Sequence, residues 1–181
     1  MGFCRLEIKG LALFEPRVFE DERGLFFESF NAARFAEATA ETAQFVQDNQ
    51  SVSHKGVLRG LHYQLAPHGQ GKLVRVVAGA AFDVAVDIRP GSLSFGKWYG
   101  TELSAANRRQ LWVPAGFAHG FLALEPDTAF VYKVTAPWHA ASERTIRWDD
   151  PAIGIDWPLE GAPILSARDA AAPSLAEAEI S

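Results

Sequence analysis

The stretch FDVAVDI, residues 82–88, decides the fold expected for this chain of 181 residues. Every second residue from Phe82 to Ile88 is large and apolar, whereas Asp83 and Asp87 alternate with them on the other side. A period of two predicts a β-strand. Two interpretations of the aspartate-bearing face stay open. It faces solvent, or it forms the inner wall of a barrel around a polar ligand.

Similar short strands are predicted on both sides of this stretch, and Pro or Gly punctuates many of the junctions between them. The pattern is typical of a sandwich or barrel. One segment, 31–43, is rich in Ala and Glu and predicts a helix with Asn31 as its N-cap. The last residues, 170–181, fit either a short helix or a loose tail. The predicted strands are 73–77, 82–88, 97–103, 110–113, 120–124, 129–134 and 144–148.

Composition excludes several classes of protein. Hydrophobic residues make up 48% of the chain and charged residues 22%, which indicates one globular domain over 1–181. The net charge of −5 argues against a nucleic-acid partner, although a few Arg and Lys can still hold a diphosphate. Cys4 is the only cysteine, and no apolar stretch resembles an export signal or a membrane span. We therefore expect a cytoplasmic protein without a membrane partner.

The chemistry-bearing residues concentrate around two histidines. His62 lies in GVLRGLHYQ, residues 56–64, with Lys72 shortly after it, and His119 lies in AGFAHGF, residues 115–121. A zinc or iron site needs three or four ligands. Because no second His follows His62 closely, and no Asp or Glu lies between His62 and Asp83, we expect no metal.

Without a metal, a histidine is suited to proton transfer, since its ordinary pKa of about 6.5 makes it a base at neutral pH. A cation such as Lys72 can stabilise an enolate. A histidine base together with this lysine fits a reaction that removes a proton α to a carbonyl. Tyr132 is a candidate for returning the proton, although its local sequence is better explained by a core aromatic.

Ordered blocks along nearly the whole chain resemble the dTDP-4-dehydrorhamnose 3,5-epimerase family. The resemblance implies a cupin-type jelly-roll β-barrel with a few short helices, in an all-β, homodimeric enzyme without a cofactor. It also implies the substrate dTDP-4-dehydro-6-deoxy-D-glucose, inverted at C3 and C5. The blocks are 21–28, 47–51, 56–64, 82–90, 114–122, 132–135 and 166–169.

The same resemblance implies residue roles. His62 resembles the catalytic base, Asp169 its carboxylate partner, and Tyr132 the acid on the opposite face of the sugar. Lys72 resembles the residue that stabilises the enolate and contacts the substrate. Further positions resemble substrate contacts: Arg23, Phe26, Glu28, Gln47, Asp48, Asn49, Arg59, His119, Trp138, Glu143 and Arg168.

The chain departs from the usual family pattern at three positions, all on the binding side. Trp138 replaces a Tyr that stacks on thymine, Pro137 replaces another common Tyr, and Arg168 replaces Lys. The indole of Trp138 still offers a flat face for stacking. The guanidinium of Arg168, in contrast, forms hydrogen bonds in a different geometry from the ammonium group of Lys. Three alternatives stay open: a single-centre epimerase or keto-isomerase, a non-catalytic sugar-binding barrel, and a metal-dependent oxygenase.

Overall fold

The computed structural model describes residues 2–180, which form two antiparallel sheets packed face to face as a jelly-roll barrel. The strands are β1 Gly2–Arg5, β2 Ala12–Glu15, β3 Val18–Asp21, β4 Gly24–Phe27, β5 Gln47–Ser53, β6 Leu58–Gln64, β7 Lys72–Ala78, β8 Ala80–Asp87, β9 Trp98–Ser104, β10 Gln110–Val113, β11 Phe117–Ala123, β12 Thr128–Val134 and β13 Glu143–Thr145. Two short helices, α1 Ala32–Thr39 and α2 Ala167–Ala170, complete the fold.

The strand order brings residues far apart in sequence onto facing walls. The six-stranded sheet has the order β1-β2-β10-β7-β12-β5, and the five-stranded sheet has the order β13-β6-β11-β8-β9. Strands β3 and β4 pair only with each other, as a separate hairpin. The predicted all-β jelly roll with a few short helices is confirmed.

The predicted elements exist, and their bounds shift by a few residues. The strand predicted at 110–113 coincides with β10, whereas that at 144–148 is shorter and begins one residue earlier, as β13. Asn31 is the N-cap of α1, since its side chain accepts a hydrogen bond from the Arg34 amide. The helix predicted to reach residue 43 stops at Thr39, because Ala40 adopts a left-handed conformation with φ of 60°.

Both faces of β8 are buried, which decides between the two interpretations of its aspartates. Val84 and Val86 pack outward against Ile146, Trp157 and other residues of the C-terminal segment. The face bearing Asp83 and Asp87 lies inside the barrel, and both carboxylates are fully buried. The solvent-facing interpretation is therefore wrong, and the inner-wall interpretation is confirmed.

The C-terminal segment covers the outer face of the five-stranded sheet. After α2, residues 171–180 form turns and irregular structure rather than a further helix. Leu175 is buried in the outer cluster, and its amide donates to the buried carboxylate of Asp150. The tail, of which Ser181 lies outside the described residues, is thus a packed layer and not a loose end.

A glycine contact joins β6 to β11 at the centre of the five-stranded sheet. A Cβ added to Gly60 would lie 2.6 Å from the Gly120 Cα, and one added to Gly120 would lie 2.7 Å from the Arg59 carbonyl oxygen. The register shifts here, because His119 pairs with His62 whereas Phe121 pairs with Arg59. This β-bulge makes Gly60 the extra residue, so Arg59 and His62 point to the same side although they are three apart.

Gly120→Ala should therefore lower the free energy of unfolding by about 1–3 kcal/mol, the usual cost of forcing an extra carbon into a packed site. Urea denaturation followed by circular dichroism measures this value. Gly161→Ala is the matched control, since a Cβ there meets no atom within 4 Å. Equal stability of the two variants would contradict the tight contact.

Candidate active site

A cavity of about 420 Å³ opens between the two sheets. Its walls combine polar side chains from β5, β6, β7, β11 and β12 with aromatic rings. Nine of the predicted site residues line it: Gln47, Asn49, Arg59, His62, Lys72, His119, Tyr132, Trp138 and Glu143. The volume is in the range of a small-molecule site.

His62 forms a short hydrogen bond with Asp169, which comes from α2. The two atoms, Nε2 and Oδ1, are 2.6 Å apart, and the carboxylate is 3% exposed. Burial by itself raises the pKa of Asp169. The hydrogen bond and charge of His62 lower it, as do hydrogen bonds from Ser166 and the Gly60 backbone, and the net effect is a lowered pKa. Because an ionised carboxylate only accepts, Nε2 carries the proton and Nδ1 is left to act as a base.

Lys72 is a buried cation at the floor of the cavity. Its Nζ donates to the His62 carbonyl oxygen at 3.2 Å. Burial lowers the pKa of Lys72 to about 8, although the charges of Asp83 and Glu143 raise it in part. The ammonium group therefore loses its charge near pH 8, and it interacts strongly with anions in this dry position.

Tyr132 lies on the wall opposite His62, since β12 belongs to the six-stranded sheet and β6 to the five-stranded one. Burial raises the pKa of the Tyr132 phenol, the charge of Glu143 raises it further, and Arg59 lowers it in part. The phenol is protonated at neutral pH. An imidazole and a protonated phenol thus lie on opposite walls of one cavity.

A second imidazole–carboxylate pair lies deeper, between β11 and β8. His119 Nε2 is 2.8 Å from Asp83 Oδ2, and both side chains are buried. His119 pairs with Ala85 across the strands, and Phe121 pairs with Asp83. The imidazole and the carboxylate are therefore diagonal neighbours on the inner face of the sheet.

The rim of the cavity is tied together by Glu143. Its Oε2 accepts a hydrogen bond from Trp138 Nε1 at 3.1 Å and forms an ion pair with Arg168 at 2.6 Å. Burial raises the pKa of Glu143, but the bonds from Arg168 and Trp138 outweigh it, so the pKa is lowered. The Trp138 amide also donates to Gln47 Oε1, which holds the indole at the mouth.

Four predicted contacts do not reach this cavity within the described chain. Asp48 lies on the other face of β5, paired with Lys133 at 2.9 Å. Arg23 and Phe26 lie on the β3–β4 hairpin, where Phe26 is 71% exposed and Arg23 pairs with Asp21. Glu28 follows the hairpin and accepts a hydrogen bond from Asn31. The structure groups these residues away from His62.

Sequence reasoning missed several residues that the structure adds to the cavity. A usable signal existed for four of them, because each of the four lies two residues before or after a predicted site residue in the same strand and so shares its face. The lining residues that this rule finds are Ser51, Gln64, Phe121 and Phe130. Gln70 also lines the cavity, but it lies outside the strands and the rule does not reach it.

The arrangement supplies a general base, a cation and a proton donor around one space. Within residues 2–180, no group of three or more His, Cys, Asp and Glu side chains is placed to hold a metal ion. Among the same residues, no helix is long and apolar enough to cross a membrane. The geometry is that of proton transfer on an anionic or strongly polar molecule.

Several known proteins with similar sequences and structures are named 3,5-epimerases. A model of the dTDP-4-dehydrorhamnose 3,5-epimerase family matches residues 5–177. An epimerase of that name from Pseudomonas aeruginosa is 55% identical, over 99% of this chain and 98% of its own. A dTDP-6-deoxy-D-glucose-3,5-epimerase from Legionella pneumophila has a similar crystal structure, solved in complex with dTDP-4-keto-L-rhamnose. Its sequence is 52% identical and the TM-score is 0.94, over 97% of this chain and 93% of that chain.

A more distant neighbour has a narrower activity. A 3'-monoepimerase from Streptomyces bikiniensis, solved in complex with dTDP-quinovose, is 38% identical with a TM-score of 0.90. The match covers 94% of this chain and 86% of that chain. The barrel is thus shared by enzymes named for one centre and for two.

Asp169→Asn should destabilise the protein in a pH-dependent way. The lowered pKa of Asp169 means that its ionised form stabilises the fold above the unfolded value of about 3.9, and that this contribution is lost as the pH falls through the folded value. The difference in unfolding free energy between wild type and variant should be largest between about pH 5 and 7 and shrink below about pH 4.

Urea denaturation at a series of pH values measures this difference. Asp149→Asn is the control, because Asp149 pairs with Arg147 at the surface, where an ion pair contributes little. A constant difference across the pH range would mean that the Asp169 charge does not stabilise the fold.

Proposed function

This chain belongs to the dTDP-4-dehydrorhamnose 3,5-epimerase family, and we propose that it converts dTDP-4-dehydro-6-deoxy-D-glucose to dTDP-4-dehydro-L-rhamnose as a single domain. Both inverted carbons, C3 and C5, are α to the C4 ketone, so the same chemistry serves each. The observation that carries the proposal is the His62–Asp169 pair, whose carboxylate is buried and whose imidazole lies across one cavity from Tyr132.

The reaction begins with proton removal by His62. Nδ1 takes the proton on carbon, the electron pair of the C–H bond moves toward the C4 oxygen, and an enolate forms. Asp169 stabilises the resulting imidazolium through Nε2. Lys72, held in a buried position beside His62, offsets the negative charge that develops on the oxygen.

Inversion requires that the proton return from the other face. Tyr132 supports this role, because its wall is opposite that of His62 and its raised pKa keeps the phenol protonated. Donation from the phenol to carbon restores the ketone with the opposite configuration. Each inversion leaves His62 as an imidazolium and Tyr132 as a phenolate. Exchange of protons with water returns both residues to their starting states, and the same pair then processes the second carbon.

The cation-rich wall and the rim support binding of the nucleotide part. Arg59 lines the cavity beside His62 and can pair with a phosphate oxygen. Trp138, fixed by Glu143 and Gln47, offers a flat apolar face at the mouth for a base to stack on. Arg168 closes the same rim through its ion pair with Glu143.

A single-centre epimerase is the second candidate. The similar fold of the Streptomyces bikiniensis 3'-monoepimerase favours it, although at lower identity than the 3,5-epimerases. Both activities need a base and an acid on opposite faces, since each inverts a carbon α to a ketone. Only the number of carbons that exchange protons separates the two.

Incubation with the dTDP-4-dehydro sugar in deuterated water tests the proposal. Deuterium should enter at C3 and C5 with formation of the L-lyxo product, as read by NMR. His62→Ala should lose at least about 10²–10⁴-fold of both labelling and product formation, while dTDP binding by calorimetry persists. Label at one carbon would establish the second candidate.

Tyr132→Phe gives a sharper result in the same experiment. It should slow product formation more than labelling, because His62 still removes the proton in the variant. Tyr99→Phe is the control, since Tyr99 packs against the inner core and does not line the cavity. Equal loss of labelling in Y132F and H62A would remove Tyr132 as the dedicated acid.

We further propose that the enzyme is a homodimer that works in the cytoplasm. Isolated two-stranded hairpins are marginally stable, yet the β3–β4 hairpin exposes Phe19 and Phe26 to 52% and 71%. Strand β5 also leaves one edge of its sheet unpaired. A second copy would cover both and bring Arg23 toward a neighbouring cavity.

The single exposed thiol, Cys4, suits a reducing compartment.

Phe19→Asp combined with Phe26→Asp should convert a dimer into a monomer. Size-exclusion chromatography with light scattering gives the mass directly. Leu93→Asp is the control, because Leu93 is fully exposed in a turn away from the hairpin. A wild-type chain that elutes at its monomer mass would end the dimer proposal.

A further inference from the structure

Asp83 is the one buried carboxylate beside the cavity that the proposed reaction does not use. It is fully buried, and its Oδ2 contacts His119 Nε2 at 2.8 Å. Its Oδ1 is buried and has no hydrogen-bond partner among the residues that the structure describes. A buried charge with an unpaired oxygen is costly, so a nearby positive charge must offset it.

Lys72 is placed to supply that charge. Its Nζ donates to the His62 carbonyl oxygen at 3.2 Å, and His62 is the direct cross-strand partner of His119, whose imidazole contacts Asp83. Of the anions that act on Lys72, Asp83 has the larger effect and Glu143 the smaller. The other ionisable or charged groups that line the same cavity come from four strands: Arg59, His62 and Tyr63 on β6, His119 on β11, Tyr132 on β12 and Glu143 on β13. Asp83 lies behind this lining, on β8, where it contacts no solvent.

We propose that Asp83 is a positioning residue that orients His119 and keeps Lys72 in its cationic form at the floor of the cavity. As an ionised acceptor it fixes the His119 proton on Nε2, which directs Nδ1 away from the carboxylate. Its charge also offsets the desolvation of the Lys72 ammonium. The role of Lys72 on the enolate rests on the proposed function, whereas the Asp83–Lys72 coupling does not.

The alternative is that Asp83 only joins β8 to β11. A structural bond of that kind would change stability without changing the titration of Lys72. Asp87 offers a matched comparison, because it is a fully buried aspartate on the same strand. Its carboxylate is bonded to Arg89, Ser92 and Ser94 and not to cavity residues.

An NMR titration of side-chain-labelled lysine tests the coupling without any turnover. The chain has five lysines, and Lys72→Arg assigns the signal of interest. In wild type the pKa of Lys72 should be about 8. Asp83→Asn keeps the shape and the acceptor for His119 but removes the charge, and should lower the pKa of Lys72 by roughly one to three units.

Asp87→Asn should leave the Lys72 titration where it is in wild type. The alkaline limb of the kcat profile should move to lower pH in D83N and stay unchanged in D87N. A Lys72 titration that moves no further in D83N than in D87N would overturn the proposal. If the Asp83→Asn variant does not fold, the same titration is done with Asp83→Ser.

A measurement on the wild-type protein covers the other half of the proposal. Long-range ¹H–¹⁵N spectra should show neutral His119 protonated at Nε2, and the Nδ1–H tautomer would contradict the orienting role. Failure of the proposed function would look different. The wild type would then incorporate no deuterium, while Lys72 would still respond to Asp83→Asn.

Discussion

The backbones of β6 and β11 approach each other closely at Gly60 and Gly120, and the site is arranged around this contact. A side chain on either residue would strike the neighbouring backbone. The close approach accommodates the bulge that turns Arg59 and His62 to the same side of the sheet. The Gly60 amide also bonds to the Asp169 carboxylate, so the same residue helps to position the base through its partner. Gly60 meets two requirements here, because it has no side chain to strike β11 and because its φ of 130° is one that other residues rarely adopt.

The charged pairs around the cavity differ in how deeply they are buried. His62 is partly exposed and has its carboxylate behind it, whereas His119 and Asp83 are both buried. Lys72 lies among them with little solvent contact. In such a position electrostatic interactions are stronger than in water, and unpaired charges are costlier. The carboxylates that surround the cations therefore stabilise the empty site, and an anionic ligand replaces part of that compensation.

Local pattern predicted much of the fold but little of the assembly of the site. The alternation in 82–88 and the N-cap at Asn31 are properties of neighbouring residues, and both could be read directly. The His62–Asp169 pair joins residues 107 apart, and no periodicity connects them. The family resemblance supplied that pair. The alternation in 82–88 leaves two options for the side that Asp83 faces, inward or toward solvent. Its bond to His119 depends on the strand register, which local pattern does not determine.

The distance along the chain between His62 and Asp169 has a consequence for biosynthesis. Most residues that line the cavity precede residue 135, and they include His62, Lys72 and Tyr132, whereas Trp138 and Glu143 follow it. Asp169 and the segment that covers the outer core leave the ribosome afterwards. The chain up to residue 135 therefore emerges without the carboxylate that pairs with His62, which lies 107 residues further along. The pair can form only once the closing layer has been made.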